Sequence, residues 1–210
     1  IVKQLDNIYE IEIESSKLLV KSLKMSIETI MKNTMYLDNM VEYVLKECCL
    51  FRKGKGIIKS KRTGGIIPYY ASNGQSSNSY MNKHNIDGEF ILLAEDGCIG
   101  SIHYIPDGSK IWVGDHVHVI NPKEEIDVDI KYLYHYLNNN VNYEIYTTGS
   151  VIPKLNKGNL EKIKIRVPIV DVQKDILKKI ELKESLIQEL EKNIERSEKE
   201  GKEIMNTVFN

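Results

Sequence analysis

Cysteine is scarce in this 210-residue chain, and the three present are placed without pattern: Cys48 and Cys49 are adjacent and Cys98 stands alone. That excludes a disulfide framework and a Cys-x-x-Cys metal site, and it predicts three small buried hydrophobes in a reducing compartment. No run of roughly 18 apolar residues occurs, so no membrane-spanning helix is expected, and the N-terminus lacks the layout of a signal peptide. The expected location is the cytoplasm, with no membrane partner. An initiating Met is lacking too, so Ile1 reads as the start of a fragment or of a processed chain.

An excess of charge of one sign is also missing, since 29 Lys+Arg stand against 30 Asp+Glu for a net of −1. A uniformly basic nucleic-acid binder is thereby excluded, but a total hides its distribution. Residues 46–75 carry +6 and residues 150–170 carry +4, whereas 1–45, 76–149 and 171–210 carry −2, −7 and −2. From Arg52 to Arg62 the chain holds Arg52, Lys53, Lys55, Lys59, Lys61 and Arg62 without an acid. Two cationic segments therefore lie in an otherwise acidic chain, whose 41% apolar content suffices for a core.

Catalytic motifs are lacking as well. Asn121-Pro122-Lys123 has no aromatic residue where an Asn-Pro-Pro-aromatic methyltransferase site needs one, and Gly54-x-Gly56 lies outside the strand-to-helix turn that cradles a nucleotide. His116 and His118 would share one strand face, but no third metal ligand follows at a sensible spacing, so both read as satisfied structural histidines. Asp107 and Lys110 do not complete a nuclease carboxylate cluster. The expectation is a chain without catalytic residues, metal or cofactor.

What is present begins with helix. The first 45 residues contain neither Gly nor Pro, and Ile13, Ser16, Val20, Leu23, Ile27, Ile30, Thr34, Leu37, Val41 and Val44 alternate by three and four. This predicts a long helix to about residue 34 and a shorter helical piece after it. Soon after Pro168 the ladder recurs through Ile176, Ile180, Lys183, Ile187, Leu190, Ile194, Ser197, Gly201, Ile204 and Val208. Residues 31–36 even resemble 204–209. Helices of about 35 residues run roughly 50 Å, far more than a small core needs. Their narrow seams call for pairing, antiparallel with each other or with copies from another chain, the alternative being amphipathic helices laid on the central domain.

Between Lys46 and Pro168 short apolar runs alternate with turns. Phe90–Ala94, Ile99–Ile105, Ile111–Ile120 and Ile163–Val167 read as strands, and Asp129–Asn138 reads as an amphipathic helix opened by an acid. The predicted fold class is α+β: a β-rich domain over 45–170, flanked by helical regions over 1–44 and 171–210 that form an antiparallel coiled coil. Arg52–Arg62 is Gly-interrupted and reads as a flexible cationic loop leading into Pro68-Tyr69-Tyr70-Ala71-Ser72-Asn73-Gly74-Gln75. Thr147-Thr148-Gly149-Ser150, followed by Lys154, Asn156, Lys157 and Asn159, repeats the chemistry. Lys and Arg suit phosphates, while amides pair with adenine and Arg with guanine. Two such loops meeting on one face would make a DNA-reading surface; a solvated lysine-rich loop beside a core tyrosine pair is the plainer alternative.

Certain blocks are specific enough to carry a family resemblance. They are Gly65-Ile66-Ile67-Pro68-Tyr69-Tyr70, then Ile91-Leu92-Leu93-Ala94-Glu95-Asp96-Gly97-Cys98-Ile99-Gly100, then Gly149-Ser150-Val151-Ile152-Pro153-Lys154-Leu155-Asn156-Lys157-Gly158-Asn159-Leu160, running on to Val167-Pro168 and Gln173. In order and spacing the chain resembles one half of the DNA-specificity subunit of type I restriction-modification systems: one target recognition domain with its spacer helices. The resemblance implies a non-catalytic subunit that reads half of a split double-stranded target, with methyltransferase subunits docked on the helices and restriction subunits joining them. One recognition domain, where the family normally has two, implies either a fragment or a half-length subunit that pairs with itself and reads a palindromic split site.

The family's base-contacting residues vary, so the candidates are chosen on chemistry. Lys53, Lys55, Lys59, Lys61 and Lys157 are expected on phosphates. Arg62, Tyr70, Asn73, Gln75, Lys154 and Asn156 are expected nearer base edges; Tyr69 suits the core equally. A coiled-coil module whose central domain binds protein instead of DNA is the competing function.

Overall fold

The computed structural model describes residues 2–62, 64–149, 151 and 153–209, with side chains from Ile8 to Glu203 apart from Asn78. In chain order the elements are α1 (Val2–Thr34), β1 (Val41–Val44), α2 (Leu45–Cys48), β2 (Cys49–Lys53), β3 (Ile67–Ala71), β4 (Gly74–Met81), β5 (Ile86–Asp87), β6 (Phe90–Ala94), β7 (Ile102–Ile105), β8 (Lys110–Val113), β9 (Val117–Pro122), α3 (Ile130–Asn139), α4 (Lys157–Leu160), β10 (Lys164–Val167) and α5 (Val170–Phe209). They form two compact units, Ile1–Thr34 with Lys174–Asn210, and Met35–Gln173.

The first unit is the helix pair. Lys17 pairs with Glu198 at 3.0 Å and Lys24 with Glu191 at 2.9 Å, so seven residues forward along α1 correspond to seven back along α5: the helices are antiparallel in heptad register. Val20 and Ile27 on α1, and Ile187 and Ser197 on α5, are buried at that level. The Ser at position 197 is a seam residue, as its place in the ladder requires, and the ladders hold from Ile13 to Thr34 and from Ile176 to Gly201, whereas Leu37 and Val41, beyond the end of α1, are exposed. The second copies of the repeat, Ile204 to Phe209, have side chains outside the described residues.

The shorter helical piece expected after residue 34 is a strand instead. Asn39 adopts a left-handed φ of 56° beyond the helix end, and Val41–Val44 then pairs antiparallel with Lys164–Val167. Val-Glu-Tyr-Val alternates well enough for either structure, and the available partner strand decides between them.

The second unit holds two four-stranded sheets, ordered β2-β9-β6-β7 and β4-β3-β8-β5, beside the two-stranded β1-β10. Every pairing is antiparallel except that of β3 with β8. Ile86, Phe90, Leu92, Ile105, Ile111, Val113, Val117 and Val119 form one core cluster drawn from both sheets. The intervening residues Ile91 and Leu93 are equally buried, so β6 is covered on both faces and reads as an unbroken apolar run. α3 packs on this sheet, and its N-cap Asp129 accepts from the amides of Lys131 and Tyr132.

The expected single strand Ile111–Ile120 is two, one in each sheet, separated by Gly114-Asp115-His116. The Ile99–Ile105 strand begins only at Ile102, because Gly97 and Gly100 both have positive φ. Cys48 and Cys49 are buried as expected, but Cys98 is exposed in that turn.

Candidate nucleic-acid interface

The pairings Ala94 with Val117 and Lys53 with His118 bring the C-terminal ends of β6 and β2 to the start of β9. The C-terminal ends of β3 and β8 meet nearby, where Gly114 N–H donates to the Tyr70 carbonyl. The first basic segment leaves β2 here, and the second, which follows a 3-10 turn at Tyr143–Tyr146, is bonded to the end of β6.

The first basic segment is not a flexible loop. Arg52 and Lys53 end β2, after which Gly54 N–H donates to Val117 O at 3.3 Å and Lys55 N–H to Val113 O at 2.8 Å. The Trp112 indole N–H then holds the Lys55 carbonyl at 2.9 Å. Backbone lies so close that a Cβ at Gly54 would overlap the carbonyl oxygens of Gly114 and Val113. Lys59–Lys61 makes a 3-10 turn, closed by Arg62, whose Nε and Nη2 both donate to the Ile57 carbonyl while its guanidinium lies 4.1 Å over the Tyr69 ring. Tyr69 is buried, and burial raises its pKa against the opposing pull of Arg62. Lys55, Lys59 and Lys61 are exposed and have no acidic partner among the described residues.

The second segment is stapled differently. Thr148 and Lys154 exchange backbone hydrogen bonds of 3.0 and 2.8 Å, and Leu155 N–H donates to Glu95 O at 2.8 Å. Leu155 is fully buried, and its carbonyl accepts from His118 Nε2–H at 2.7 Å. Burial lowers the His118 pKa, keeping that imidazole neutral. Asn156 caps α4 through the Asn159 amide, and Lys157 lies 3.6 Å from Glu161.

Glu95 and Asp96, at the end of β6, join the two segments. Lys53 Nζ is 2.6 Å from Glu95 Oε2, and Asp96 Oδ2 lies 3.4 Å from Lys154 Nζ and 2.8 Å from His116 Nδ1. The two carboxylates are only 12% and 13% exposed, so neither is a solvated surface acid. Gly97 follows with φ +71°, which lets the chain turn back beneath them, and its Cβ position faces Ser72 Oγ. Ser72 and Asn73 form the tip of the β3-β4 hairpin, where Tyr70 packs edge-on to His103 at 6.3 Å and its hydroxyl reaches Gln75 at 3.4 Å. A cleft of about 610 Å³ runs between this hairpin and the first basic segment, lined by Gly56, Arg62, Tyr69, Ser72, Asp115 and His116 among others.

Of the sequence-derived candidates, Lys53, Lys55, Lys59, Lys61, Asn73, Gln75, Lys154, Asn156 and Lys157 are exposed, and Arg62 and Tyr70 half-buried. Arg62 already has carbonyl and ring partners. Lys53 and Lys154 are brought together through the two acids. Sequence reasoning read His116 as a structural histidine and quoted Glu95 and Asp96 only within a block that carries the resemblance, giving none of the three a place in the site. His116 precedes β9 and is 56% exposed, unlike the buried His118, so the two do not share a strand face. The legible signal was two acids directly after a fully apolar strand, in the Ala-Glu-Asp-Gly stretch of a block that carries the resemblance. Among the described residues no group of three potential metal ligands occurs, and no helix is long and apolar enough to cross a membrane.

Fold and site together define a class: an α+β domain inserted in an antiparallel helix pair, gathering two basic loops and an amide-bearing hairpin at one end of its sheets. Residues 38–197 match the family model described as the type I restriction modification DNA specificity domain, and the chain belongs to that family. A type I restriction enzyme specificity subunit of Haemophilus influenzae is 37% identical over 126 residues, covering 59% of this chain and 31% of that protein. The MjaX specificity subunit of Methanocaldococcus jannaschii is 28% identical over 157 residues, covering 70% and 36%. The chain thus spans about a third of the length of these relatives. Among solved structures, the S subunit from M. genitalium superposes with a TM-score of 0.75 at 16% identity, covering 97% of this chain and 58% of that one. The HsdS subunit from Thermoanaerobacter tengcongensis gives 0.59 at 13% identity, covering 99% and 56%.

Proposed function

We propose that this chain is the DNA-reading part of a type I restriction-modification specificity subunit: it recognises one half of a split double-stranded target and performs no chemistry itself. The observation that supports the reading is the joining of both basic segments through Glu95 and Asp96, neighbouring carboxylates that pair with Lys53 of the first segment and Lys154 of the second. Lys55, Lys59, Lys61 and Lys157 would grip phosphates, and the amides of Asn73, Gln75 and Asn156, with Lys154, would approach base edges.

The partners in this reading are double-stranded DNA and methyltransferase subunits, with restriction subunits in a cleaving complex, all in the cytoplasm. The helix pair suits protein docking. Besides its seam with α5, α1 exposes a stripe of Ile11, Leu18 and Met25 at heptad spacing, with Ile8 one turn before them. Ser15 and Thr29, interleaved with the stripe, already bond their own helix carbonyls, so covering them strands no hydroxyl. Two copies related by a two-fold axis would read a palindromic split site.

The test is binding of the chain, with its methyltransferase subunit, to random duplex and to duplex enriched from a random pool, across a salt series. The expected result is steep salt dependence on both and tighter binding of the enriched DNA. Equal affinity for the two would sink the reading.

A further inference from the structure

His116 lies at one edge of the cleft between the first basic segment and the β3-β4 hairpin, its ring 56% exposed. Its carbonyl accepts from the Glu95 amide at 2.9 Å and its Nδ1 lies 2.8 Å from Asp96 Oδ2, so both backbone and ring are held. The charged groups facing it are Asp96, Asp115 with Oδ1 3.8 Å from Nε2, Lys154 through the shared Asp96 oxygen, and Arg62, which lines the same cleft. The Lys53-Glu95 pair sits beside them.

We infer that His116 is a DNA-contacting residue that takes up a proton on binding, with Asp96 as its positioning residue; this deepens the DNA-reading proposal and rests on it. Asp96 accepts from Nδ1–H, so in the neutral ring Nε2 carries only a lone pair and has nothing to offer a phosphate oxygen or the O6 and N7 of guanine. The imidazolium turns Nε2 into a donor. It also offsets a local excess of carboxylate: Asp96 is shared with Lys154, whereas Asp115 has no other cation within ion-pair distance among the described residues. A phosphate entering this cleft meets repulsion from Asp115 until the ring is charged, so binding draws the proton from solvent. Linkage then makes affinity rise as pH falls, by at most about tenfold per pH unit for one proton. A phosphate contact would give this rise on any duplex, and a guanine-edge contact only on the target.

The experiment measures Kd for the full chain with its methyltransferase subunit, on random and on enriched duplex, from about pH 6 to pH 8 at fixed salt. Calorimetry in buffers of different ionisation enthalpy counts the protons. Wild type is expected to bind several-fold more tightly toward acid, with net proton uptake. His116→Gln should flatten that rise with an unchanged melting temperature, and Asp96→Asn, which removes the carboxylate that holds Nδ1, should alter the slope of affinity against pH, whereas a merely structural role would lower affinity equally at every pH. Binding whose pH profile is the same in wild type and His116→Gln overturns this inference and leaves the DNA reading standing. Failure of wild type to bind either duplex at any pH overturns both.

Discussion

Residues 52–62 and 147–157 are both cationic and both lie at the same end of the sheets, yet the fold holds them by opposite means. The first is rooted by main chain: amides of Gly54 and Lys55 on carbonyls of β9 and β8, and the Trp112 indole on the Lys55 carbonyl. Lys53 pairs with Glu95, and Lys55, Lys59 and Lys61 are left over. The second is rooted partly by side-chain charge, with Lys154 drawn to Asp96 and Lys157 near Glu161. Holding a loop through its backbone leaves its charge free for a ligand, whereas holding it through its charge fixes where that charge points. The first segment suits a sequence-independent grip on phosphates and the second suits oriented contacts.

The sharpest way to break this contrast is at Gly54. Gly54→Ala places a methyl group against two carbonyl oxygens that cannot move without disturbing β8, and it should cost about 3 kcal/mol of stability in thermal or urea unfolding. A melting temperature equal to wild type would mean that the root is not where the structure puts it. Next in size, Asp96→Ala removes the acceptor shared by Lys154 and His116 and should cost about 1.5 kcal/mol, with faster hydrogen exchange at the Thr148 and Lys154 amides and none of that at Lys55. Exchange that quickens equally in both segments would erase the distinction between their anchors. The smallest effect is expected from Lys59→Ala with Lys61→Ala, exposed residues whose loss should leave folding intact. Their removal should lower the slope of log affinity against log salt by about 1.8, equally on random and enriched duplex. A loss confined to the enriched duplex would move these lysines from phosphates to base edges.

How much of this was legible depended on whether burial imposed a period. Both long helices are buried along one face, so their ladders show in the sequence down to polar members such as Ser16, Lys183 and Ser197. Strand β6 was legible because burial on both faces leaves nothing polar in Phe90–Ala94. β4 was not: Gly-Gln-Ser-Ser-Asn-Ser-Tyr-Met has little apolar pattern, and its pairing with β3 makes it a strand. β1 was misread because a four-residue alternation fits helix and strand alike. In the candidate site, cation-rich and amide-rich runs were visible as composition. The pairing of Glu95 with Lys53 and of Asp96 with Lys154 spans 42 and 58 positions along the chain, and nothing local signals it. His116 was hidden by the assumption of one continuous strand through Gly114, which would have put it on the same face as buried His118.

The antiparallel ion pairs of the helix unit also have a consequence in time. Lys17 and Glu198 are 181 positions apart, among the longest-range contacts a chain of this length can make. At typical synthesis rates α1 leaves the ribosome about 7 to 27 s before α5 begins to follow. Throughout that interval its seam through Val20 and Ile27 is without α5. Closing so long a loop directly is entropically unfavourable and slow, but folding of residues 35–173 brings its two ends under one constraint and leaves only the helices to zip. The insert therefore assembles first and the helix pair last, which leaves α1 open to any other helix present while the chain is still being made.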